Sequence, residues 1–508
     1  MSVPNLRLRA SGVLLHPTSL PGPYGSGDLG HEARRFVDFL RSAEQRWWQT
    51  LPVGPPGYGE SPYAAESSFA GNPMLVSPDG LVEAGWLARQ HLDPVPSTPE
   101  SARAHRLRWL RVAFQGFSRH PDHRAGFDRF CEETAPWLED FALFRALKQA
   151  HGGVQWSSWD AELRHRRPHA LREARARFAG EIAFEKFVQY AFDLQWRALR
   201  AYAAGQQIGL IGDVPIFVAH DSADVWCRPD DYFLDDRGMP TVVAGVPPDY
   251  FSATGQRWGN PLYRWKRMRR DGYAWWIDRL RVTLQRFDAV RLDHFIGFQR
   301  YWRIPADEPT AVRGRWIRGP GASFFDAVEA ALGELPLIAE DLGETNRAVY
   351  ALRDRYRLPG IRILQFAFGD DPAAPSFQPH NFPRRAVVYT GTHDNDTTVG
   401  WFRAQGGEGS TRTAEQAETE RRAARRYLGT SGEEIHWDMI RAALASVARL
   451  AMFPVQDLLG LGSESRMNTP GRATGNWSWR LPSGALTPAL SERLAILTRT
   501  YGRAQERS

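Results

Sequence analysis

Eight short apolar runs along the chain each end abruptly in a polar or charged residue and give way to helix-like spacing. They are Gly12–His16, Trp47–Val53, Ile208–Asp213, Phe287–Asp293, Leu335–Asp341, Ile361–Phe366, Ala386–Thr390 and Val447–Val455. Such runs alternating with helical segments predict βα units and a parallel sheet. The helical period is plainest between Glu181 and Ala203, where Phe184, Phe187, Val188, Ala191 and Leu194 recur and Gly205 stops the pattern before the third run. Eight units of this kind predict a (β/α)₈ TIM barrel, in which chemistry gathers at the carboxyl ends of the strands.

The spacing of the runs is uneven, which divides the chain. Residues 1–75 hold the first two strands and 76–180 a mostly helical insertion that opens with the Pro/Ser-rich stretch His91 to Pro99. Residues 181–216 hold the third strand. A second insertion, 217–273, is rich in Gly, Pro and aromatics and reads as loop with little regular structure, lying over the barrel mouth. Residues 274–508 carry the other five strands, with too little chain after the eighth for a C-terminal β-sandwich. Gly406 to Glu420 reads as a mobile loop leading into a helix.

Composition narrows the class. No apolar run is long enough for a transmembrane helix, the N-terminal residues lack a signal-peptide core, and only Cys131 and Cys227 are cysteines. The expectation is a soluble, cytoplasmic protein without disulfides. The net charge is +6, and of the 64 basic residues only Lys148, Lys186 and Lys266 are lysines. That skew does not mark a nucleic-acid binder, and Arg164 to Arg177 reads as a solvated helix face. No lysine stands in a P-loop context. Gly25 to Gly30 matches G-x-G-x-x-G, but about 20 residues on there is Thr50 where a ribose-binding acid belongs. His31-Glu32 fails H-E-x-x-H because residue 35 is Arg, and Asp394-Asn-Asp396 lacks the EF-hand glycine, Val399 standing there. No metal site or cofactor motif is evident.

Four segments end in carboxylates: Ile208 to Asp213, Phe287 to Asp293, Leu335 to Glu340-Asp341, and Val387 to Asp394. In one barrel, Asp213, Asp293, Glu340 and Asp394 meet at a single mouth. Burying four unpaired carboxylates is too costly for structural ballast, although each alone also reads as a helix N-cap. Arg291 and Asp293 share a strand face, so the guanidinium holds that acid ionised, or forms a purely structural ion pair with it. Glu340 ends an apolar strand, where desolvation raises its pKa. A charged acid facing a protonated one is the arrangement of a retaining glycosidase.

The motifs Asp213-Val-Pro-Ile-Phe, Arg291-Leu-Asp293-His, Glu340-Asp-Leu-Gly and Thr392-His-Asp394-Asn-Asp resemble the strand ends of the α-amylase superfamily. More narrowly the chain resembles the amylomaltases, glycoside hydrolase family 77. Supporting segments are His16-Pro-Thr-Ser-Leu-Pro-Gly, Gly57-Tyr-Gly-Glu-Ser-Pro-Tyr63, Gly245 to Phe251, Gln256 to Tyr263 and Arg466 to Gly471. The resemblance implies a 4-α-glucanotransferase acting on α-1,4-glucans, without cofactor, metal, nucleic-acid or membrane partner. It implies Asp293 as nucleophile, Glu340 as acid/base and Asp394 as the third carboxylate. Arg291 would support Asp293, Asp213 and His393 would bind the reacting glucose, and Tyr63 would stack on it. Ser61, Asp249, Gln256, Trp258 and Asn468 would line the groove; Trp258 and Tyr250 also read as packing aromatics. An α-1,4-glucan hydrolase and a non-catalytic glucan-binding protein are the rival readings. No motif sets an oligomeric state.

Overall fold

The computed structural model describes residues 5–504 apart from 94, 96, 97, 120, 249–251, 253, 408–411 and 473. The strands among them are β1 (Ala10–Leu14), β2 (Trp47–Gln49), β3 (Gly209–Pro215), β4 (Val242–Val246), β5 (Gln256–Pro261) and β6 (Ala289–Asp293). They continue with β7 (Arg300–Pro305), β8 (Arg315–Arg318), β9 (Leu337–Ala339), β10 (Gly360–Ile363), β11 (Ala386–Tyr389) and β12 (Leu450–Pro454). The eight apolar runs supply β1, β2, β3, β6, β9, β10, β11 and β12, which close a parallel barrel in the order β1-β12-β11-β10-β9-β6-β3-β2. This is the (β/α)₈ barrel. Among the described residues no strand follows β12, and the last helix is Pro488–Thr500.

Strand alternation divides the core in two. Trp47, Ile211, Ala289, Ile338, Val387 and Met452 belong to one cluster, which fills the barrel interior. Their strand neighbours Trp48, Leu210, Val290, Leu337, Val388 and Phe453 belong to the other, under the helices. The Tyr389 hydroxyl donates to Gln49 Oε1 at 2.8 Å from a strand that does not neighbour β2, so the bond spans the interior. The first strand can approach β2 only through Gly12, where a Cβ would stand 2.4 Å from the Trp47 carbonyl oxygen. At the amino-terminal end, the buried Arg503 guanidinium donates to the carbonyls of Ala10, Ala443, Leu444, Ser446, Ala448 and Arg449. It thereby caps the helix Ile435–Ala445, whose terminal carbonyls favour a cation.

Residues 76–180 include the helices Pro99–Phe117, Arg124–Ala150 and Pro168–Arg177. Arg145 pairs with Glu66 and Lys148 with Asp221, tying this helical layer to loops at the barrel mouth. The helix Ala179–Gly205 ends at Gly205, but the left-handed residue that turns the chain is Gln207, at φ +60. The helix Ala414–Leu428 opens with a Thr413/Gln416 capping box; the loop expected to lead into it includes 408–411, outside the described residues.

The segment 217–273 differs from its reading as irregular loop. It contains β4 and β5, which join β7 and β8 in a four-stranded antiparallel sheet of order β5-β4-β7-β8. The sequence hides these strands because β5 is largely exposed and lacks alternation, and β4 finds β7 only far along the chain. Among the described residues, no helix is long and apolar enough to cross a membrane.

Candidate active site

The barrel-interior positions become charged as they reach the mouth. Ile211 is followed two residues on by Asp213, Ala289 by Arg291 and Asp293, and Ile338 by Glu340. Asp213 pairs in register with Arg291 and Pro215 with Asp293, while Leu292 pairs with Ala339. The Glu340 N–H extends that last ladder by donating to the Leu292 carbonyl at 3.1 Å. Asp213, Asp293 and Glu340 therefore stand side by side on three neighbouring strands.

Arg291 Nη1 lies 2.9 and 2.8 Å from the two Asp213 oxygens and 2.8 Å from Asp293 Oδ1. The side chains of Asp213 and Arg291 are 0% and 5% exposed, whereas Asp293 is 27% exposed, so of the two aspartates on Arg291 it is Asp293 that opens to the barrel mouth. Burial lowers the affinity of the Arg291 guanidinium for its proton, but Asp213 and Asp293 outweigh this and hold it well above its ordinary value. Burial pushes the Asp213 carboxyl up, with Arg291 pulling against it.

Glu340 is electrostatically the opposite of an ion-paired acid. Burial drives its carboxyl well above the ordinary value; Asp293 adds to the rise and Arg291 opposes it. Its oxygens accept the N–H groups of His294 at 2.7 Å and Leu342 at 3.3 Å. The adjacent Asp341 points away, to Arg353 at 2.5 Å and the Ile361 N–H at 2.8 Å, and is structural.

Asp394 lies beyond β11, in the following loop, rather than at a strand end as its sequence suggested. His393 Nε2 is 3.3 Å from Asp394 Oδ2, and Asn468 Nδ2 donates to Asp394 Oδ1 at 2.7 Å. Burial alone would raise this carboxyl, but His393 and Asn468 hold it well below the ordinary carboxylate range. The Tyr63 hydroxyl donates to Asp213 Oδ2 at 2.7 Å, and its ring stacks on His393 at 5.0 Å. Trp477 completes a cluster of rings, 5.8 Å from Tyr63 and 6.0 Å from His393.

A family model described as 4-alpha-glucanotransferase matches residues 15–487. The 4-alpha-glucanotransferase of Thermus thermophilus is 51% identical over 96% of this chain and 98% of its own length. That of Synechocystis is 47% identical over 97% and 98%. The amylomaltase of Streptococcus agalactiae, solved in complex with acarbose, superposes at a TM-score of 0.92 with 36% identity, covering 98% of this chain and 100% of that one. The chain belongs to the 4-alpha-glucanotransferase family. It is an enzyme of that family, whose barrel brings Asp213, Arg291, Asp293, Glu340, His393, Asp394, Asn468 and Tyr63 to one mouth.

The remaining residues expected to line the glucanotransferase groove fall into two groups. Ser61 accepts from the Tyr63 N–H at 3.3 Å, capping the short turn that presents Tyr63. Gln256 Oε1 accepts from Trp258 Nε1 at 3.1 Å on one face of β5, and Trp258 packs edge-on against His294 at 4.8 Å. Asp249 and Tyr250 lie outside the described residues. None of the four mouth acids caps a helix: the N-cap positions of the helices that follow are Ser222, Phe295, Asn346 and Thr397. Sequence reasoning missed Trp477, and quoted Arg466, which donates to the Asp394 carbonyl at 2.6 Å, only as part of a segment without a role. It likewise quoted His294 at the end of the Arg291-Leu-Asp293-His motif without giving it a role. His16 was quoted only as part of a motif; it is buried, and burial together with nearby His393 lowers its pKa to about 3.

Proposed function

We propose that this glucanotransferase transfers segments of α-1,4-glucan with retention, through a covalent glucosyl ester on Asp293. The observation that carries the reading is the pairing of unlike carboxyls on adjacent strands: Asp293 beside the Arg291 cation, and Glu340 buried and driven toward its neutral form. Glu340 gives its proton to the glycosidic oxygen as an Asp293 oxygen attacks C1; the C1–O4 bond breaks and the shortened glucan leaves. Glu340, now ionised, takes the proton from the 4-hydroxyl of an acceptor glucan, whose oxygen attacks C1 and displaces Asp293. Two inversions leave the α configuration intact.

The surrounding residues fit this division of labour. Asp394, kept anionic, grips hydroxyls of the reacting sugar and stabilises the positive charge that develops at C1. Tyr63, His393 and Trp477 offer ring faces to the apolar faces of glucose, and Ser61, Gln256 and Asn468 line the groove. Trp258, carried on β5, covers the proton-donor side. Transfer prevails over hydrolysis where the acceptor is held in line, because a positioned hydroxyl reaches effective molarities of ~10⁵–10⁸ M. The unpaired Cys131 and Cys227 suit a reducing compartment.

Incubation with maltotriose tests the reading. The expected product is a ladder of longer and shorter glucans with little gain in reducing ends. Net hydrolysis would make the chain a glucan hydrolase, and unaltered maltotriose a binding protein. Asp293→Asn and Glu340→Gln each remove a group used in every turnover, so activity falls by several orders of magnitude; a mild loss at either contradicts its assignment.

A further inference from the structure

The residue after Asp293 has an unusual backbone. His294 sits at φ +50, in the left-handed region that side chains with a Cβ rarely adopt. That turn brings its N–H to 2.7 Å from Glu340 Oε2. Two more bonds lock the same junction: the Phe295 N–H donates to the Glu340 carbonyl at 3.0 Å, and the Glu340 N–H to the Leu292 carbonyl at 3.1 Å. The strand that carries Asp293 thus holds Glu340 by main chain on both sides of the turn.

The imidazole is packed as a wedge. It meets Trp258 edge-on at 4.8 Å and lies 6.5 Å from Phe217. Behind it, a Cβ on Gly297 would stand 3.2 Å from His294 Cδ2 and 2.7 Å from Ile216 Cδ1, so only glycine leaves the ring its room. Its Nε2 is buried and has no hydrogen-bond partner among the described residues. Burial lowers the ring's pKa to about 4, and the nearby Asp293 does not offset it, so the wedge is neutral near pH 7.

We propose that His294 is a positioning residue for the proton donor: its left-handed turn aims its own N–H at Glu340 Oε2, and its ring, wedged between Trp258 and Gly297, holds the turn in place. The inference rests on the reading of Glu340 as acid/base. Oε2 accepts the shorter bond, at 2.7 Å from His294 against 3.3 Å from Leu342 to Oε1, so Oε1 is the less committed oxygen and the better place for the transferable proton. The other charged groups facing Glu340 are Arg291 and Asp293 from β6 and Asp341 from its own segment.

The test is a substitution series ranked by tolerance of left-handed backbone rather than by size. His294→Asn and His294→Gly remove the ring but accept the turn; His294→Val and His294→Ala resist it. The readout is the basic limb of the kcat/KM pH profile on maltotriose, which reports the proton donor of the free enzyme. Losing an N–H bond that favours the carboxylate raises Glu340, so in His294→Val the limb moves up by about one pH unit while the plateau falls at least about tenfold. His294→Asn brings the limb back toward wild type. If His294→Val does not fold, His294→Ala against His294→Gly gives the same comparison. A limb unmoved in the resisting variants, or shared by all four, overturns the proposal; a fall in plateau alone is what a merely structural role predicts. Glu340→Gln separates the two ideas. If it stays active the acid/base reading fails, and if it is dead while the series does not rank by backbone tolerance only the positioning role fails.

Discussion

Replacing Arg291 by Met tests the electrostatic centre of the site through stability as well as rate. The guanidinium is 5% exposed and contacts both Asp213, fully buried, and Asp293. Methionine keeps an unbranched apolar stem but not the charge, and leaves the two carboxylates without their shared cation. Breaking a buried ion pair from one side costs about 3–5 kcal/mol. With an unfolding entropy of roughly 2.1 cal/mol/K per residue over 508 residues, about 1 kcal/mol moves Tm by about 1 °C, so the expected loss at pH 7 is about 3–5 °C.

The pH dependence gives the prediction its sign. In the variant, burial and Asp293 both push Asp213 up, and the largest opposing influence is gone, leaving only His393 and the Tyr63 hydroxyl to pull it back. A carboxyl raised above its unfolded value of about 3.9 is tolerated in the fold when protonated and penalised as pH rises through its folded pKa. The Tm difference between variant and wild type therefore shrinks from pH 7 to pH 5. Calorimetry or a dye-based melt at both pH values reads it. An equal deficit at the two pH values, or a variant as stable as wild type at pH 7, would refute the reasoning.

Three further outcomes follow from single contacts. Tyr63→Phe keeps the ring stacked on His393 but deletes the donor to Asp213, a charge-assisted bond of about 1.5–3 kcal/mol, so kcat/KM on maltotriose falls about 10- to 100-fold; a loss under about twofold contradicts the contact's role. Asn468→Asp places a second carboxylate where Asn468 now donates to Asp394 at 2.7 Å. This raises Asp394 from its depressed value, and the acid limb of the activity profile moves to higher pH; an unmoved limb shows that Asp394 need not be ionised. Arg503→Met removes one donor from each of six carbonyls at the far end of the barrel, three of which Arg9 also serves, lowering Tm by about 2–4 °C through loss of about 2–4 kcal/mol while specific activity of the folded enzyme holds. A change in kcat there would mean that the two ends of the barrel are coupled.

The barrel was legible because its signals are local. Each strand is a short apolar run cut off by a polar residue, and alternation alone carries Arg291 and Asp293 to the same face. The peripheral sheet was not legible, since the exposed β5 shows no buried face of its own and β4 is made a strand by pairing with β7. Asp394 was found but misplaced: the polar run Thr392 to Asp396 was read as the end of a strand that stops at Tyr389. Trp477 carries no distinguishing pattern, and becomes part of the site only because its loop folds back beside Tyr63 and His393.

The order of elements and the acids that cap the barrel were determined by sequence, because hydrophobic period and strand alternation act within a few residues. The charge states of those acids were decided by tertiary structure. Arg291 is shared between two aspartates, Glu340 is dried by its surroundings and aimed by the turn at His294, and Asp394 is held anionic by His393 and by Asn468, which lies far along the chain. The physical reason is that dielectric and counter-charge belong to a cavity, and this cavity exists only once distant segments have closed around it.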